Sequence, residues 1–507
     1  MPGTLECVVE RTRSHEACLT RTRFFNLPLK SAGIMVPHAT NEFLAGVIEG
    51  FYGPPWSTVD RLELFDWMAA WGLDTYVYAP KDDLNHRLLW REPYPAIQAA
   101  ALGDLIRACG RRKLRFVYAL SPGLDIRYAD AADLERIRKR FAQMLGLGCG
   151  HFALLFDDIP DRMRAADIRR FGSFASAQCH IANTMFRWVR QRVPGARFLF
   201  CPTAYCGRMA GRGYGGQGYL ETVGRELLPQ IDVFWTGPEI VSGKISVAHV
   251  REIRRVLRRK PVLWDNLHAN DYDARRFFCG PYAGRPPALR AELAGVCSNP
   301  NCELPLNYVP LRTLAWFLGG GRTWNARRAW RAAMQEWWPR FAVVGPPVKL
   351  TDLMRLGDCY YLPHQEGPEA EALYQGAKLL LRGMLWQRYG ALARFRQRVT
   401  RLRAFCERLA GLRDRRLFAA LSRRIWELRE ELDLLERYAA WKVHSGSTGT
   451  AFQSDFHLPG TYRGGLVARL QQLWVQQPNG RLVPAESVRP PDPGSAWRGA
   501  KPGRSLV

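Results

Sequence analysis

Two adjacent carboxylates, Asp157 and Asp158, directly follow the apolar run Phe152–Phe156. A strand that ends in two carboxylates can give them different tasks, because one can stay ionised while the other donates a proton to a leaving-group oxygen. Mutual repulsion and partial burial should raise the pKa of one of them well above the ordinary value. Adjacent aspartates are also common on solvated surfaces, so the pair alone leaves a structural interpretation open.

A second polar run, Trp264–Tyr272, also follows an apolar stretch, and Asn299–Asn301 follows another. Asp and Asn side chains can hydrogen-bond sugar hydroxyls, while Trp and Tyr rings can stack on sugar faces. The alternative is a loop that caps its own backbone. Lys81 can bind a ligand oxygen or form a structural ion pair with the neighbouring Asp82 or Asp83.

Several other chemistries lack the residues that they need. His268 and Asp271 have no third ligand at a suitable spacing, so we predict no metal site. The 12 cysteines include no Cys-x-x-Cys pair, and the spacing of Cys201 and Cys206 does not suit a metal, so we expect buried, reduced thiols. There is no Gly-x-Ser-x-Gly elbow and no phosphate-binding glycine loop, which favours a neutral carbohydrate ligand and no cofactor.

The elements that must position these residues alternate between apolar runs and amphipathic segments. The eight runs are 45–49, 75–78, 115–120, 152–156, 197–200, 233–235, 262–264 and 295–297. Continuous apolar strands between helices indicate a parallel sheet, and eight units predict an α/β fold of the (β/α)8 TIM-barrel type. In such a barrel the chemistry lies after the strands' carboxyl ends, where seven of these eight runs carry polar residues.

We predict four segments along the chain. Residues 1–42 read as a disordered tail, 43–345 as the (β/α)8 domain and 346–476 as a helical, stalk-like bundle. The Pro-, Gly- and Arg-rich residues 477–507 read as a second disordered tail. Within the bundle, Leu428, Leu432 and Leu435 repeat with helical spacing.

Composition restricts the class of protein further. Apolar residues make up 47% of the 507, which is typical of a globular chain. The net charge of +26 raises the alternative of a nucleic-acid-associated protein, but only 10 of the 73 basic residues are lysines and the arginines are spread throughout, so no specific nucleic-acid binding is expected. No run is long enough to span a membrane and no signal peptide is visible, so we expect a cytoplasmic protein.

Nine motifs, in order along residues 46–303, resemble those of the family 84 glycoside hydrolases. They are Gly46–Gly53, Tyr78–Asp83, Ser121–Asp125, Phe152–Asp158, Cys201–Cys206, Trp235–Pro238, Trp264–Tyr272, Gly280–Tyr282 and Asn299–Glu303. The resemblance implies substrate-assisted, retaining hydrolysis through an oxazoline, in which no enzymic nucleophile is required. It implies that Asp157 polarises the substrate's acetamido group and that Asp158 is the general acid and base. The sugar-binding residues that it implies are Gly50, Lys81, Tyr205, Trp264, Asn266, Asp271 and Asn299.

By the same resemblance, the substrate is N-acetylglucosamine O-linked to Ser and Thr of proteins. The alternatives are hyaluronan or another amino-sugar glycan, and a catalytically silent sugar-binding scaffold. Ala204 departs from the family, whose animal members usually carry Glu there, so leaving-group contacts could differ. Tyr360–Pro363 and Tyr462–Leu466 resemble the family's stalk. This implies a homodimer in which the segment Gly464–Val475 crosses to the partner's cleft.

Overall fold

Eight parallel strands follow one another around a closed barrel, and the eighth pairs with the first. They are β1 (Leu44–Glu49), β2 (Thr75–Tyr78), β3 (Arg115–Leu120), β4 (His151–Leu155), β5 (Phe198–Cys201), β6 (Asp232–Trp235), β7 (Val262–Asp265) and β8 (Gly295–Ser298). The predicted TIM barrel is confirmed. This computed structural model describes residues 43–160, 162–320, 323–445, 451–453 and 464–487, all within one compact unit.

The strands are apolar throughout because both of their faces are buried. In β1, Leu44 and Ile48 belong to the cluster that fills the barrel interior, together with Val77 of β2. Val47 belongs instead to the larger cluster between the barrel wall and the surrounding helices, as does Tyr76. Successive residues of a strand point to opposite faces, so one strand supplies both clusters.

Ten helices among the described residues follow or surround the strands. They are α1 (Thr58–Trp71), α2 (Ala96–Arg111), α3 (Ala131–Gly146), α4 (Ala165–Phe171), α5 (Phe174–Arg192), α6 (Gly207–Gly211), α7 (Tyr219–Glu226), α8 (Val247–Leu257), α9 (Tyr308–Gly319) and α10 (Ala326–Trp337). Serine side chains cap three of them by accepting a main-chain hydrogen bond from the first turn: Ser57, Ser173 and Ser246. Such caps satisfy donors that the helix leaves unpaired.

Four further helices form the region after the barrel. They are α11 (Leu350–Cys359), α12 (Pro368–Leu381), α13 (Ala391–Arg408) and α14 (Arg415–Ser445). Arg424 of α14 pairs with Glu303 of the barrel at 2.6 Å, and Arg416 pairs with Glu63 of α1 at 2.8 Å. These helices share one hydrophobic cluster with the outer wall of the barrel, so the boundary at residue 345 stays a prediction.

The C-terminal end differs from the sequence prediction. Helix α15 (Gly465–Gln471) is followed by β9 (Trp474–Gln476) and β10 (Leu482–Pro484), which pair as an antiparallel hairpin. The disordered tail predicted from residue 477 is therefore wrong for residues 477–487. Within these residues, Pro478 and Gly480 lie in the turn between the two strands, and Leu482 of β10 is buried. Residues 488–507 and the predicted tail 1–42 lie outside the described residues.

Within the single chain, α15 packs on α12 and α14. Arg469 pairs with Glu371 of α12 at 2.9 Å, and Gln471 donates to Glu431 of α14 at 2.8 Å. The resemblance implies that the segment Gly464–Val475 crosses to a partner's cleft. In this structure, α15 of that segment instead contacts helices of its own chain. No described helix has the length and apolar character required to cross a membrane.

Candidate active site

The carboxyl ends of the barrel strands open into a cavity of about 640 Å³. All nine residues predicted for the site line it: Gly50, Lys81, Asp157, Asp158, Tyr205, Trp264, Asn266, Asp271 and Asn299. They come from β1, β2, β4, β5, β7 and β8 and the loops that follow these strands. The cavity therefore assembles residues that are up to 249 positions apart in sequence, as in the contact of Gly50 with Asn299.

Strand parity explains which side chains face the cavity. Ile48 and Trp264 lie on the interior face of the barrel, so Gly50 and Asn266, two residues further on, continue that face. The intervening Glu49 and Asp265 point outward and are fully buried. At the ends of β1 and β7, successive residues thus alternate between facing the cavity and being buried in the wall of the barrel.

Asp157 and Lys81 form a buried ion pair at the bottom of the site. The Lys81 ammonium donates to Oδ2 of Asp157, and Lys81 is 6% and Asp157 5% exposed. Burial by itself raises the pKa of Asp157, but the Lys81 charge and hydrogen bond outweigh it and hold that pKa below the ordinary value. The raised pKa predicted for one member of the pair is therefore not that of Asp157, because the Lys81 ammonium, from the loop after β2, faces its carboxylate.

The structural alternative for Lys81 is also wrong, since neither adjacent aspartate is its partner. Asp82 accepts a hydrogen bond from the main chain of Gly53 at 3.0 Å. Asp83 accepts from the hydroxyls of Tyr78 and Tyr94 at 2.6 and 2.7 Å. Both aspartates bind groups in the loops around the cavity. The ion-pair partner of Lys81 is therefore Asp157.

Asp158 is exposed to the cavity and held by two tyrosines. The hydroxyl of Tyr205 donates to one carboxylate oxygen at 2.8 Å, and that of Tyr52 donates to the other at 3.0 Å. Asp158 has a φ of 50°, a left-handed conformation that breaks the strand alternation and lets both neighbouring carboxylates line one cavity. Burial, followed by the nearby charge of Asp158, raises the pKa of Tyr205, which keeps this hydroxyl protonated as a donor.

Amides and a third carboxylate form the opposite side. Asn299 accepts from the Gly50 main chain at 3.3 Å and donates to the side-chain oxygen of Asn266 at 2.9 Å. Asn266 in turn donates to the carbonyl of Ile240 at 2.8 Å. Asp271 accepts from the Tyr52 main chain at 3.0 Å, and burial raises its pKa. These contacts fix the amide orientations before any ligand is bound.

Trp264 forms a wall of the cavity and needs Gly50 opposite it. A Cβ at position 50 would lie 2.3 Å from Cζ2 of the Trp264 ring, well inside contact distance. The ring also packs edge-on against Phe234, with 5.4 Å between centroids, and lies 5.4 Å from the Lys81 ammonium. Trp264 therefore cannot move aside without disturbing Lys81.

We expect Gly50→Ala to displace Trp264 and to weaken the site. Overpacking of this kind costs about 1–3 kcal/mol, so kcat/KM for a saccharide substrate should fall by about tenfold or more. The measurement is the kinetics of purified Gly50→Ala beside Gly53→Ala. Gly53, unlike Gly50, has a left-handed φ, and a Cβ there meets nothing within 4 Å. Equal kinetics for wild type and Gly50→Ala would contradict the packing argument.

Three polar residues near the strand ends have structural partners instead. Asp265 pairs with Arg285 at 2.6 Å, and both side chains are fully buried. Glu49 accepts from Arg61 and from the main chain of Trp56. His268 contacts the Gly280 carbonyl at 3.0 Å, and burial lowers its pKa to about 4. These groups support the rim from outside the cavity.

Nothing in the described part of the chain assembles a metal site, since no group of three His, Cys, Asp or Glu side chains is close enough to hold an ion. The ten described cysteines are all unpaired, and all but Cys302 are buried. Ala204 is also completely buried, within the cluster around the barrel, so it is not among the residues that line the cavity.

A family model described as beta-N-acetylglucosaminidase matches residues 45–342. The chain belongs to the β-N-acetylglucosaminidase family. The matched range begins in β1 and extends past α10, so it contains the whole barrel and every residue of the cavity.

Two relatives from rodents are similar to part of the chain. The chain is similar to Protein O-GlcNAcase of Rattus norvegicus, with 46% identity over 288 residues, which is 57% of this chain and 31% of the relative. It is 48% identical over 276 residues to Protein O-GlcNAcase of Mus musculus, covering 54% of this chain and 30% of that protein. The chain thus spans about a third of the length of these relatives.

Two solved structures have a similar fold. The chain is similar to a point mutant of the Thermobaculum terrenum O-GlcNAc hydrolase, with a TM-score of 0.71, 26% identity, and coverage of 80% of this chain and 86% of that one. The structure of CpGH84B has a TM-score of 0.67 at 22% identity, with 80% and 70% coverage, and supports the fold alone. Both matches extend beyond the barrel.

Sequence reasoning missed several residues at the family's cavity. Tyr52 lies within the motif Gly46–Gly53, yet its contact with Asp158 depends on the three-dimensional path of the loop. Arg208 and Glu239 form a 3.0 Å ion pair at the rim, and Tyr272 also lines the cavity. The alternation of side chains along a strand is the one signal that could have distinguished residues that face the cavity from residues that face away. This alternation does not continue into the loops and the short helix α6, where these residues lie.

Proposed function

We propose that the chain is a retaining exo-β-N-acetylglucosaminidase that uses its substrate's 2-acetamido group as the nucleophile. The observation that carries this proposal is the Asp157 carboxylate. Its Oδ2 is bound by Lys81, whereas its Oδ1 is buried without a hydrogen-bond partner in a residue that lines the cavity. An ionised carboxylate only accepts hydrogen bonds, so a matching ligand brings a donor, and the acetamido N–H is one.

In the first step, the acetamido oxygen attacks the anomeric carbon and the bond to the leaving oxygen breaks. Asp158 gives its proton to that oxygen, and Asp157 accepts a hydrogen bond from the acetamido N–H as positive charge develops on the forming oxazoline. Lys81 keeps Asp157 ionised for this task. In the second step, a water molecule gives a proton to Asp158 and its oxygen adds to the anomeric carbon, which opens the oxazoline with net retention.

The remaining residues of the site suit a neutral sugar. Asn266, Asn299 and Asp271 provide amide and carboxylate groups at fixed positions, each already held by one or more protein contacts. We propose that these groups bind the sugar hydroxyls with Lys81 and the region of Gly50. Tyr205 contacts the acetamido or oxazoline group, and Trp264 provides the apolar wall.

The substrate that we propose is N-acetylglucosamine O-linked to Ser or Thr of proteins. The support is the name of the rodent relatives, Protein O-GlcNAcase, to which the chain is 46% and 48% identical over 288 and 276 residues. Hyaluronan or another amino-sugar glycan is the second candidate, because the cavity residues specify the sugar more closely than the group attached to it. A glycosylated serine peptide and a hyaluronan oligosaccharide, supplied at equal concentration, distinguish the two by product release.

The activity itself is tested with two aryl glycosides of equal leaving group. We expect an aryl β-N-acetylglucosaminide to be hydrolysed and the corresponding β-glucoside, which has no acetamido group, to be left intact. Equal hydrolysis of both would contradict substrate assistance. Binding of N-acetylglucosamine without hydrolysis would favour the silent scaffold instead.

We also propose a homodimer, based on the likeness of the helical region to the family's stalk. In this region Arg382, directly after α12, forms an exposed ion pair at 2.6 Å with Glu486, which follows β10. In a dimer, α15 would exchange between chains near the barrel mouth, where Gly465 already lies against Arg276. Light scattering at micromolar concentration should give twice the chain mass, and a monomer would contradict the proposal.

A cytoplasmic location is our proposal as well. It is supported by the ten unpaired cysteines of the described residues, since reducing compartments keep thiols free. Fractionation of the native host with an antibody tests it, and recovery of the full-length chain outside the cell would contradict it.

A further inference from the structure

Arg87 connects to both the main chain and the side chain of Asp158. It lies in the loop after β2 and is only 8% exposed. One guanidinium nitrogen donates to the Asp158 carbonyl at 2.7 Å, and another donates to the Tyr52 hydroxyl at 2.9 Å. That hydroxyl donates in turn to the Asp158 carboxylate at 3.0 Å. The Arg87 guanidinium thus contacts the main chain of Asp158 directly and its carboxylate indirectly, through Tyr52. Asp158 is the residue that we propose as acid and base.

This connection matters because the main chain at Asp158 is in an unfavourable conformation. A φ of 50° is rare for a residue with a side chain. The main-chain carbonyl of this residue needs a hydrogen-bond donor, and Arg87 supplies one. The conformation also directs the carboxylate into the cavity beside Asp157. The contact from Arg87 therefore bears on the direction of the side chain, not only on the fold of the loop.

The loop that carries Arg87 is itself fixed on the barrel. The ring of His86 contacts the Ala119 carbonyl of β3 at 2.9 Å, and Arg140 of α3 donates to the Asn85 carbonyl at 2.6 Å. Two neighbouring residues are thus anchored to different elements. A guanidinium on such a loop can hold a partner's orientation, because its own position is determined by the barrel.

We infer that Arg87 is a positioning residue for proton transfer by Asp158, acting through the Asp158 carbonyl and through Tyr52. The inference rests on the proposed function. In the step concerned, the proton moves from the Asp158 carboxyl group to the glycosidic oxygen while the bond from that oxygen to the anomeric carbon breaks. Arg87 itself transfers no proton and is not among the residues that line the cavity.

The test compares two leaving groups, because only a poor one needs the acid. We expect Arg87→Ala to lower kcat/KM for the phenyl β-N-acetylglucosaminide by about 30-fold, which is less than the about 10²–10⁴-fold of general acid catalysis because the acid itself is still present. For the 2,4-dinitrophenyl glycoside the loss should be about threefold or less. Arg87→Lys keeps the charge, but its ammonium group can contact only one of the two acceptors. This variant should therefore recover part of the kcat/KM for the phenyl glycoside.

Tyr52→Phe is the second variant, since it removes one of the two connections with little change of shape. Its kcat/KM should show the same dependence on the leaving group. The variant with both Arg87→Ala and Tyr52→Phe should have a fold-decrease in kcat/KM smaller than the product of the two single fold-decreases. Arg91→Ala is the matched control: Arg91 lies in the same loop but pairs with Asp125 and Asp133. Any decrease in kcat/KM of Arg91→Ala should be equal for the two glycosides.

Equal losses for both leaving groups in Arg87→Ala and Tyr52→Phe would overturn the inference and leave Arg87 a structural residue of the loop. That result is distinct from failure of the proposed function, in which the wild-type chain cleaves neither glycoside. If wild type cleaves both glycosides and only the phenyl reaction depends on Arg87, the positioning role stands.

Discussion

Asp157→Asn is expected to lower kcat/KM for an aryl β-N-acetylglucosaminide by about three orders of magnitude, comparable with the loss of a group that stabilises transition-state charge. Asparagine has the size of aspartate but not its charge. It cannot stabilise the positive charge that develops on the acetamido nitrogen as the oxazoline forms. It also leaves the Lys81 ammonium without its counter-ion, in a side chain that is only 2% exposed, so that cation would oppose further positive charge in the cavity.

A matched control separates catalysis from folding. Asp133→Asn removes another buried carboxylate, one that pairs with Arg91 and Arg127 on the outside of the barrel. We expect it to lower the thermal midpoint while kcat/KM stays within about threefold of wild type at a temperature where both are folded. If Asp157→Asn lost no more activity than this control, the role proposed for Asp157 would be wrong.

Asp158→Ala should also have a large effect, and its size should depend on the leaving group. General acid catalysis is worth about 10²–10⁴-fold. We expect that loss in kcat/KM for the phenyl glycoside and little loss for the 2,4-dinitrophenyl glycoside, whose leaving group departs without a proton. In the second step, the missing base should slow oxazoline opening, so kcat should fall for both substrates.

Azide provides the measurement that is specific to Asp158. A small anionic nucleophile needs no base, and the alanine variant leaves space for it beside Tyr52 and Tyr205. Added azide should therefore raise kcat for the dinitrophenyl glycoside and give a glycosyl azide of retained configuration. No rescue, together with equal losses for both leaving groups, would contradict the assignment of Asp158 as acid and base.

The barrel could be predicted from the sequence because burial on both faces produces continuous apolar runs. Every run, from Ala45–Glu49 onward, became a strand because no competing pattern of helical period exists there. The site residues could be grouped because parallel strands bring their carboxyl ends to one rim. The family resemblance then added roles for individual residues that the patterns alone could not assign.

The partners of individual residues could not be predicted in the same way. Lys81 precedes two aspartates in the sequence, yet its inward parity directs it to Asp157, which is 76 residues away. The pKa of Asp157 follows from that contact and is lowered rather than raised. Arg87 and Tyr52 lie in loops, where neither period nor parity indicates direction. Such contacts depend on loop paths that local sequence does not encode.

In the proposed mechanism, the substrate's own acetamido oxygen forms the bond to the anomeric carbon. The most direct test measures kcat/KM for aryl glycosides whose N-acetyl group carries zero, one, two or three fluorine atoms. Each fluorine makes the carbonyl oxygen a weaker nucleophile without blocking the anomeric carbon. The mechanism proposed here predicts a steep, continuous fall in log kcat/KM with fluorine number. A flat series would contradict it and would require a nucleophile supplied by the protein.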